Sequence, residues 1–204
     1  MTERPPDPLP DGCVLAGGSG RRLGRPKASV LLGGITLVER AVAMLSARCG
    51  TVVVVARPEV PLPALPVGVV HDRPGPGAPL VGLATGLAVL GADDVIVLGC
   101  DLPFAGPVLD ALLAAPAGAA VVGTADGRLQ PLCGRYPRRR ALEACERLLA
   151  EGALAARDLA EAVGAAGVPA PRDALLNVNT AEDLARAERL LRDGTAPAGY
   201  PSPR

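Results

Sequence analysis

Residues 13–27 read Cys-Val-Leu-Ala-Gly-Gly-Ser-Gly-Arg-Arg-Leu-Gly-Arg-Pro-Lys. A short apolar run, 13–16, bounded by Gly12 and Gly17, has the pattern of a buried strand. It gives way at once to a loop with glycine at Gly17, Gly18, Gly20 and Gly24 and cations at Arg21, Arg22, Arg25 and Lys27. Glycines let the main chain approach a ligand with its N–H groups turned toward phosphate oxygens. Arginine adds a forked pair of donors, and lysine a compact charge that can follow a phosphate during reaction. The plainer alternative is a glycine-rich turn with solvated basic residues. Two familiar phosphate loops do not fit. A Walker A loop needs lysine directly after its last glycine, and Gly24 is followed by Arg25. The strict dinucleotide fingerprint needs glycine where Leu23 stands, and the second strand ends in Ala56-Arg57 without the acid that a ribose would require.

Outward from this loop, apolar runs alternate with amphipathic ones. Strands are expected over 13–16, 52–56, 67–70, 95–98, 119–123, 132–136 and near 175–177. Helices are expected over 36–48, 79–90, 107–115, 138–150, 155–163 and 180–192. Thr180, with Asp183 three residues on, has the spacing of a capping box. Continuous apolar strands separated by helix-length segments predict an α/β domain: a single Rossmann-like unit with a mostly parallel twisted sheet and helices on both faces. Ligands in such sheets sit beyond the carboxyl ends of the strands, at a switch in strand order. The domain is expected over 12–193, with a Pro-rich disordered tail at 1–11 and a flexible tail at 194–204.

Composition narrows the function. The 204 residues carry 21 Lys+Arg against 21 Asp+Glu, so the basic surplus of a nucleic-acid binder is missing. Two tyrosines, one phenylalanine and no tryptophan leave no platform for stacking bases. Five scattered cysteines without C-x-x-C spacing argue against structural zinc and for a reducing cytoplasm. No apolar run reaches the roughly 20 residues that span a bilayer, and residues 1–11 lack the apolar stretch of a signal peptide. No nucleic acid and no membrane are therefore expected as partners.

Three further segments carry chemistry. In Leu98-Gly-Cys-Asp-Leu-Pro-Phe104, Asp101 follows an apolar strand and emerges at the sheet edge, where a carboxylate suits Mg²⁺ shared with phosphate oxygens. A helix N-cap is the alternative for Asp101. In 70–82, three prolines and three glycines shape a rigid wall beside Asp72, which can accept from a ring N–H or an amine. A surface loop with a solvated Asp72 is the alternative there. His71, the only histidine, is given no role. In 177–184, Asn-Val-Asn-Thr-Ala-Glu-Asp-Leu, alternation along a strand end would set Asn177 and Asn179 on one face.

These four segments in this order resemble the molybdenum cofactor guanylyltransferase family. Its pattern is L-A-G-G-x-S-x-R-M-G-x-D-K, then D…G-P-L-A-G, C-D-x-P and N-x-N-T-P-E-D-L, and the similarity spans 13 to about 190. Gln130-Pro-Leu-Cys-Gly-Arg-Tyr136 is also similar to the family's P-L-x-x-x-Y strand. The resemblance implies a nucleotide-diphospho-sugar transferase-like fold. It implies that Leu15, Ala16, Gly17 and Gly18 surround the guanine nucleotide and that Arg22 and Lys27 contact its phosphates. Asp72 contacts the nucleotide, Asp101 holds Mg²⁺, and Asn177 and Asn179 lie toward the acceptor. Lys27, Asp101 and Arg22 are then the catalytic set. The activity implied is transfer of GMP from GTP to a molybdopterin-type cofactor, with molybdoenzymes or cofactor-delivery proteins receiving the product. Departures are Gly20 for Ser, Leu23 for Met, Pro26 for Asp, Val55 for a polar Asn, and no arginine pair after Gly152. The alternatives are a cytidylyltransferase for the same cofactor, an enzyme for phospholactate or a sugar phosphate, and an inactive nucleotide-binding regulator. The broken fingerprint disfavours an NAD(P) oxidoreductase.

Overall fold

The structure, a computed structural model, describes residues 8–18, 20–72 and 77–199. Its order is β1 (Asp11–Leu15), β2 (Leu31–Leu32), β3 (Ile35–Thr36), α1 (Leu37–Ser46), β4 (Val52–Ala56), β5 (Gly68–His71), α2 (Pro79–Val89), β6 (Asp94–Gly99), α3 (Gly106–Ala114), β7 (Val121–Ala125), β8 (Arg128–Pro137), α4 (Arg138–Ala150), α5 (Ala156–Ala162), β9 (Ala166–Pro169) and α6 (Ala181–Arg192). Seven strands form one sheet in the order β5-β4-β1-β6-β8-β7-β9, with β2 and β3 as a separate hairpin. Within the sheet only β8 runs against its neighbours.

Side-chain alternation builds a core on each face of this sheet. Val14, Val54, Ile96 and Leu98 pack against Val38, Ala41 and Leu45 of α1 and Leu109 and Leu112 of α3. Their sequence neighbours Cys13, Val55, Val95 and Val97 point the other way, onto Leu80, Leu83 and Leu87 of α2 and onto α4 and α5. A third cluster, with Leu32, Leu37, Phe104, Val178 and Ala187, seats the hairpin on α6. From β1 the chain moves outward to β4 and β5, then returns to the other side of β1 as β6. The strand order therefore switches between β1 and β6, and the loops after these two strands diverge around a cleft. The expected architecture is the observed one.

All five cysteines are buried and unpaired. Burial pushes the Cys13 and Cys133 thiols up to about 12, which keeps them protonated. Among the described residues no helix is long and apolar enough to cross a membrane.

Several boundaries differ from expectation. Asp11, assigned to the N-terminal tail, opens β1 and is buried, its carboxylate accepting from the N–H groups of Thr51, Gly91 and Ala92 at 3.1, 2.9 and 2.9 Å. Residues 194–199, assigned to the C-terminal tail, turn back onto the fold: the Thr195 and Ala196 N–H groups bond to Leu190 O, and Ala196 packs on the third cluster. No strand forms at 175–177; the sheet's last position goes to β9, nine residues earlier by its start. The remaining parts of both tails (1–7 and 200–204), Ser19, the 73–76 portion of the proline-glycine wall, and the Arg21 side chain lie outside the described residues.

Candidate active site

The glycine loop is shaped by a short 3-10 turn, Arg21–Leu23, held between two left-handed glycines, Gly20 and Gly24, at φ 57° and 68°. Gly20 has a second reason to lack a side chain: a Cβ there would press into the Arg25 carbonyl and come within 3.0 Å of Lys27 N. This fold of the loop returns Lys27 beneath Gly18, where a Cβ would meet the lysine stem at 3.2 Å. The ammonium is thereby delivered to the sheet edge.

There Lys27 Nζ donates to Asp101 Oδ2 at 2.6 Å and to Asn179 Oδ1. Both side chains of the ion pair are largely shielded from water, so the pair is screened less than a surface bridge. Asn179 is oriented in turn, since its amide nitrogen donates to Asn177 Oδ1 at 2.7 Å. The Val178 N–H bonds to Asp101 O at 2.9 Å, fastening this segment to the end of β6. Asp183 then accepts from the Asn179 and Thr180 N–H groups and completes the capping box of α6. Burial opposes ionisation of Asp183, but these hydrogen bonds outweigh it and hold the carboxyl below its ordinary range.

Asp101 does not cap a helix. The N-cap of α3 is Ala105, with no side-chain hydrogen bond, which removes the structural alternative for this acid. Among the described residues no three His, Cys, Asp or Glu side chains cluster as a ready-made metal cage.

The cleft measures about 540 Å³, within the range of small-molecule sites. Of the residues singled out from sequence, Leu15, Gly17, Gly18, Arg22, Lys27, Asp72, Asp101 and Asn179 line it. Ala16 does not; it is wholly buried beneath the loop, its N–H bonded to Val55 O. Asn177 stands behind Asn179, and its contact is with that residue and through it with Lys27. The expected placement of both Asn side chains on one strand face fails for want of a strand; a loop sets them instead. At the far end, Asp72 Oδ1 is buried without a hydrogen-bond partner among the described residues. Burial pushes this carboxyl up, against the opposing pull of Arg57. Sequence reading passed over Arg57, Gly82 and Leu132, which also line the cleft. For Arg57 the signal was present, as the first residue beyond a buried strand; it served only to argue against a dinucleotide.

A switch-point cleft with a glycine loop, a paired lysine and aspartate, and a buried acceptor at its far end marks the class of α/β proteins that bind a phosphorylated ligand there. The chain belongs to the family described as the MobA-like NTP transferase domain, which matches residues 12–167. It is 38% identical over 188 residues to the molybdenum cofactor guanylyltransferase of Cereibacter sphaeroides, covering 89% of this chain and 96% of that protein. It is also 38% identical over 182 residues to the probable molybdenum cofactor guanylyltransferase of Mycobacterium avium, covering 85% and 92%. The fold is shared with molybdopterin-guanine dinucleotide biosynthesis protein A from Archaeoglobus fulgidus, at TM-score 0.73 and 24% identity over 90% of this chain and 99% of that one. It is shared as well with 2-C-methyl-D-erythritol 4-phosphate cytidylyltransferase from Thermus thermophilus, at TM-score 0.71 and 22% identity over 91% and 99%.

Proposed function

We propose that the protein transfers GMP from GTP to the terminal phosphate of a molybdopterin-type cofactor, releasing pyrophosphate. The observation that carries this reading is the position of Lys27, held by Asp101 and Asn179 at the cleft floor beneath the glycine loop. The names of the curated relatives supply the acceptor and the guanine nucleotide.

In this reading the nucleotide's phosphates lie over Gly17 and Gly18, with Arg22 at the rim and Lys27 below. An oxygen of the acceptor phosphate attacks the α-phosphorus in line, the bond from that phosphorus to the bridging oxygen breaks, and pyrophosphate leaves with the electron pair. No covalent enzyme intermediate is needed. The protein's contribution is alignment together with fixed positive charge where negative charge accumulates. Asn177 and Asn179 keep the lysine aimed, and a role toward the acceptor is compatible with the position of Asn179 on the cleft wall.

The donor set also fits Mg²⁺. That ion is bound through one or two carboxylates plus substrate phosphates and waters, not through an all-protein cage. Asp101 is the cleft acid beside Lys27 and would hold it. When bound, Mg²⁺ supplies charge neutralisation on the phosphates. The five unpaired thiols support a reducing, cytoplasmic location.

The test is a thermal-shift panel of GTP, CTP, ATP and UTP with and without Mg²⁺, followed by pyrophosphate release on addition of the cofactor. A ligand that binds only the folded state raises the melting temperature with its concentration over Kd. GTP with Mg²⁺ is expected to give the largest shift. A larger shift with CTP would replace this reading with the cytidylyltransferase one.

A further inference from the structure

At the end of the cleft away from Lys27, two side chains converge from adjacent strands. Arg57 directly follows β4 and Asp72 directly follows β5. Both lie against Gly17, where a Cβ would sit 3.5 Å from Asp72 Oδ2 and 3.7 Å from Arg57 Cγ. The guanidinium then passes close over Gly77, where a Cβ would fall 2.9 Å from Cζ, so the arginine head lies against the main chain there. Glu59 pairs with Nη2 of Arg57 and steadies the planar head. Opposite it, Asp72 Oδ1 is buried without a partner among the described residues, 3.3 Å from where a Cβ on Gly82 would stand. This end of the cleft thus presents a forked donor and an unanswered acceptor.

We propose that Arg57 is a base-specificity residue, its guanidinium donating to the O6 and N7 acceptors of guanine while Asp72 accepts from the N1–H and N2–H edge. The proposal rests on the guanylyl-transfer reading and deepens it, and Arg57 belongs to none of the sequence motifs that carried the resemblance. Guanine alone among the bases has two adjacent donor groups on one edge and two adjacent acceptors on the next. A carboxylate and a guanidinium set side by side match both edges at once, each in two-point fashion. Adenine and cytosine bring an amine to the acceptor but no second donor group beside it, and uracil brings a single ring N–H. Arg57 also offsets the cost of burying a charged Asp72, so the two side chains act as one recognition unit.

The deciding experiment measures equilibrium binding, without turnover, of GTP, 7-deaza-GTP and CTP to the wild type and to Arg57→Met. 7-Deaza-GTP replaces the N7 acceptor by C–H, and methionine keeps an unbranched chain while removing every donor that could reach O6 or N7. The wild type is expected to bind 7-deaza-GTP about tenfold more weakly than GTP. Arg57→Met is expected to bind the two equally, with GTP weakened by at least the same factor. A persistent gap in Arg57→Met, or no gap in the wild type, overturns the proposal while a preference for GTP over CTP stands. A wild type that prefers CTP overturns the guanylyl-transfer reading itself, and this proposal with it. The site is at the surface end of the cleft, and a melting curve on the variant confirms that it folds.

Discussion

Lys27 and Asp101, 74 residues apart in sequence, meet with 2.6 Å between Nζ and Oδ2 at the point where strand order reverses. The cation of the first loop and the acid of the fourth parallel strand neutralise each other there, so neither is an isolated charge in a partly shielded cleft. In the proposed reading a nucleotide with its counter-ion would satisfy both again, the lysine through phosphate and the carboxylate through the metal. Such an exchange would keep the local charge balanced and avoid the cost of stranding an ion away from water.

Lys27→Ala should therefore lower turnover by about two to three orders of magnitude, the scale for losing a preorganised charge contact in a transition state. Nucleotide affinity should fall less than the rate. Single-turnover pyrophosphate release, compared with GTP binding, separates the two; near-normal turnover would move the catalytic cation to Arg22 or Arg25.

Asp101→Asn should abolish Mg²⁺-dependent turnover with little change in melting temperature. A neutral amide is a poor ligand for a hard dication, and Asp101 caps no helix whose loss would unfold the chain. Raised Mg²⁺ should restore part of the rate. Wild-type turnover at limiting Mg²⁺ would exclude Asp101 as the metal's anchor.

Asn177→Ala should cost about fivefold to tenfold in kcat, the size of one lost neutral hydrogen bond. Its Oδ1 fixes which end of the Asn179 amide faces Lys27, so the variant acts through positioning. Asn177→Asp, which keeps the acceptor, should recover most of the loss. An equal loss in both variants would argue for direct contact with the acceptor substrate.

GTP affinity should decline on acidification sooner than an ordinary carboxylate would dictate, because protonated Asp72 no longer offers a charged acceptor. Burial is the main cause of the raised pKa, and Arg57 only partly offsets it. The same shift fixes the sign for stability. A carboxyl raised in the folded state costs stability while ionised, and that cost is relieved as pH falls through the raised value toward the ordinary one near 3.8. Asp72→Asn should thus melt slightly higher at pH 7, bind GTP more weakly, and lose this acid dependence of binding. An affinity flat down to pH 4 in the wild type would contradict the assignment.

The parallel half of the sheet was legible because its strands are continuous apolar runs between helix-length segments; β4 and α4 fall on the residues expected. The hairpin at 31–36 was missed although Gly33-Gly34 is a two-residue turn signal, since strands of two residues carry no periodicity. β9, Ala-Gly-Val-Pro, has too little β-branched character to announce itself and forms because the parallel edge of β7 is there to receive it. At 175–177 the reverse holds: the residues look extended, but Val178 gives its N–H to Asp101 O, outside any ladder. In the site, the lysine, both aspartates and the glycines were readable from type and place after a strand. Arg57 stands in the same kind of place, but its neighbourhood with Gly77 and Asp72 was not readable, because only the folded sheet brings them beside it.

The buried thiols give the molecule a built-in clock for its own opening. A thiol reagent needs both access and a thiolate, and burial denies the first while holding Cys13 and Cys133 protonated to about 12. Labelling of the native chain must then wait for cooperative opening, and its rate reads the free energy of that event residue by residue. Cys13, in β1 against Gly86 of α2, reports the centre of the sheet beneath the glycine loop. Any occupant of the cleft that braces that loop will be visible as slower modification of a sulfur it never touches.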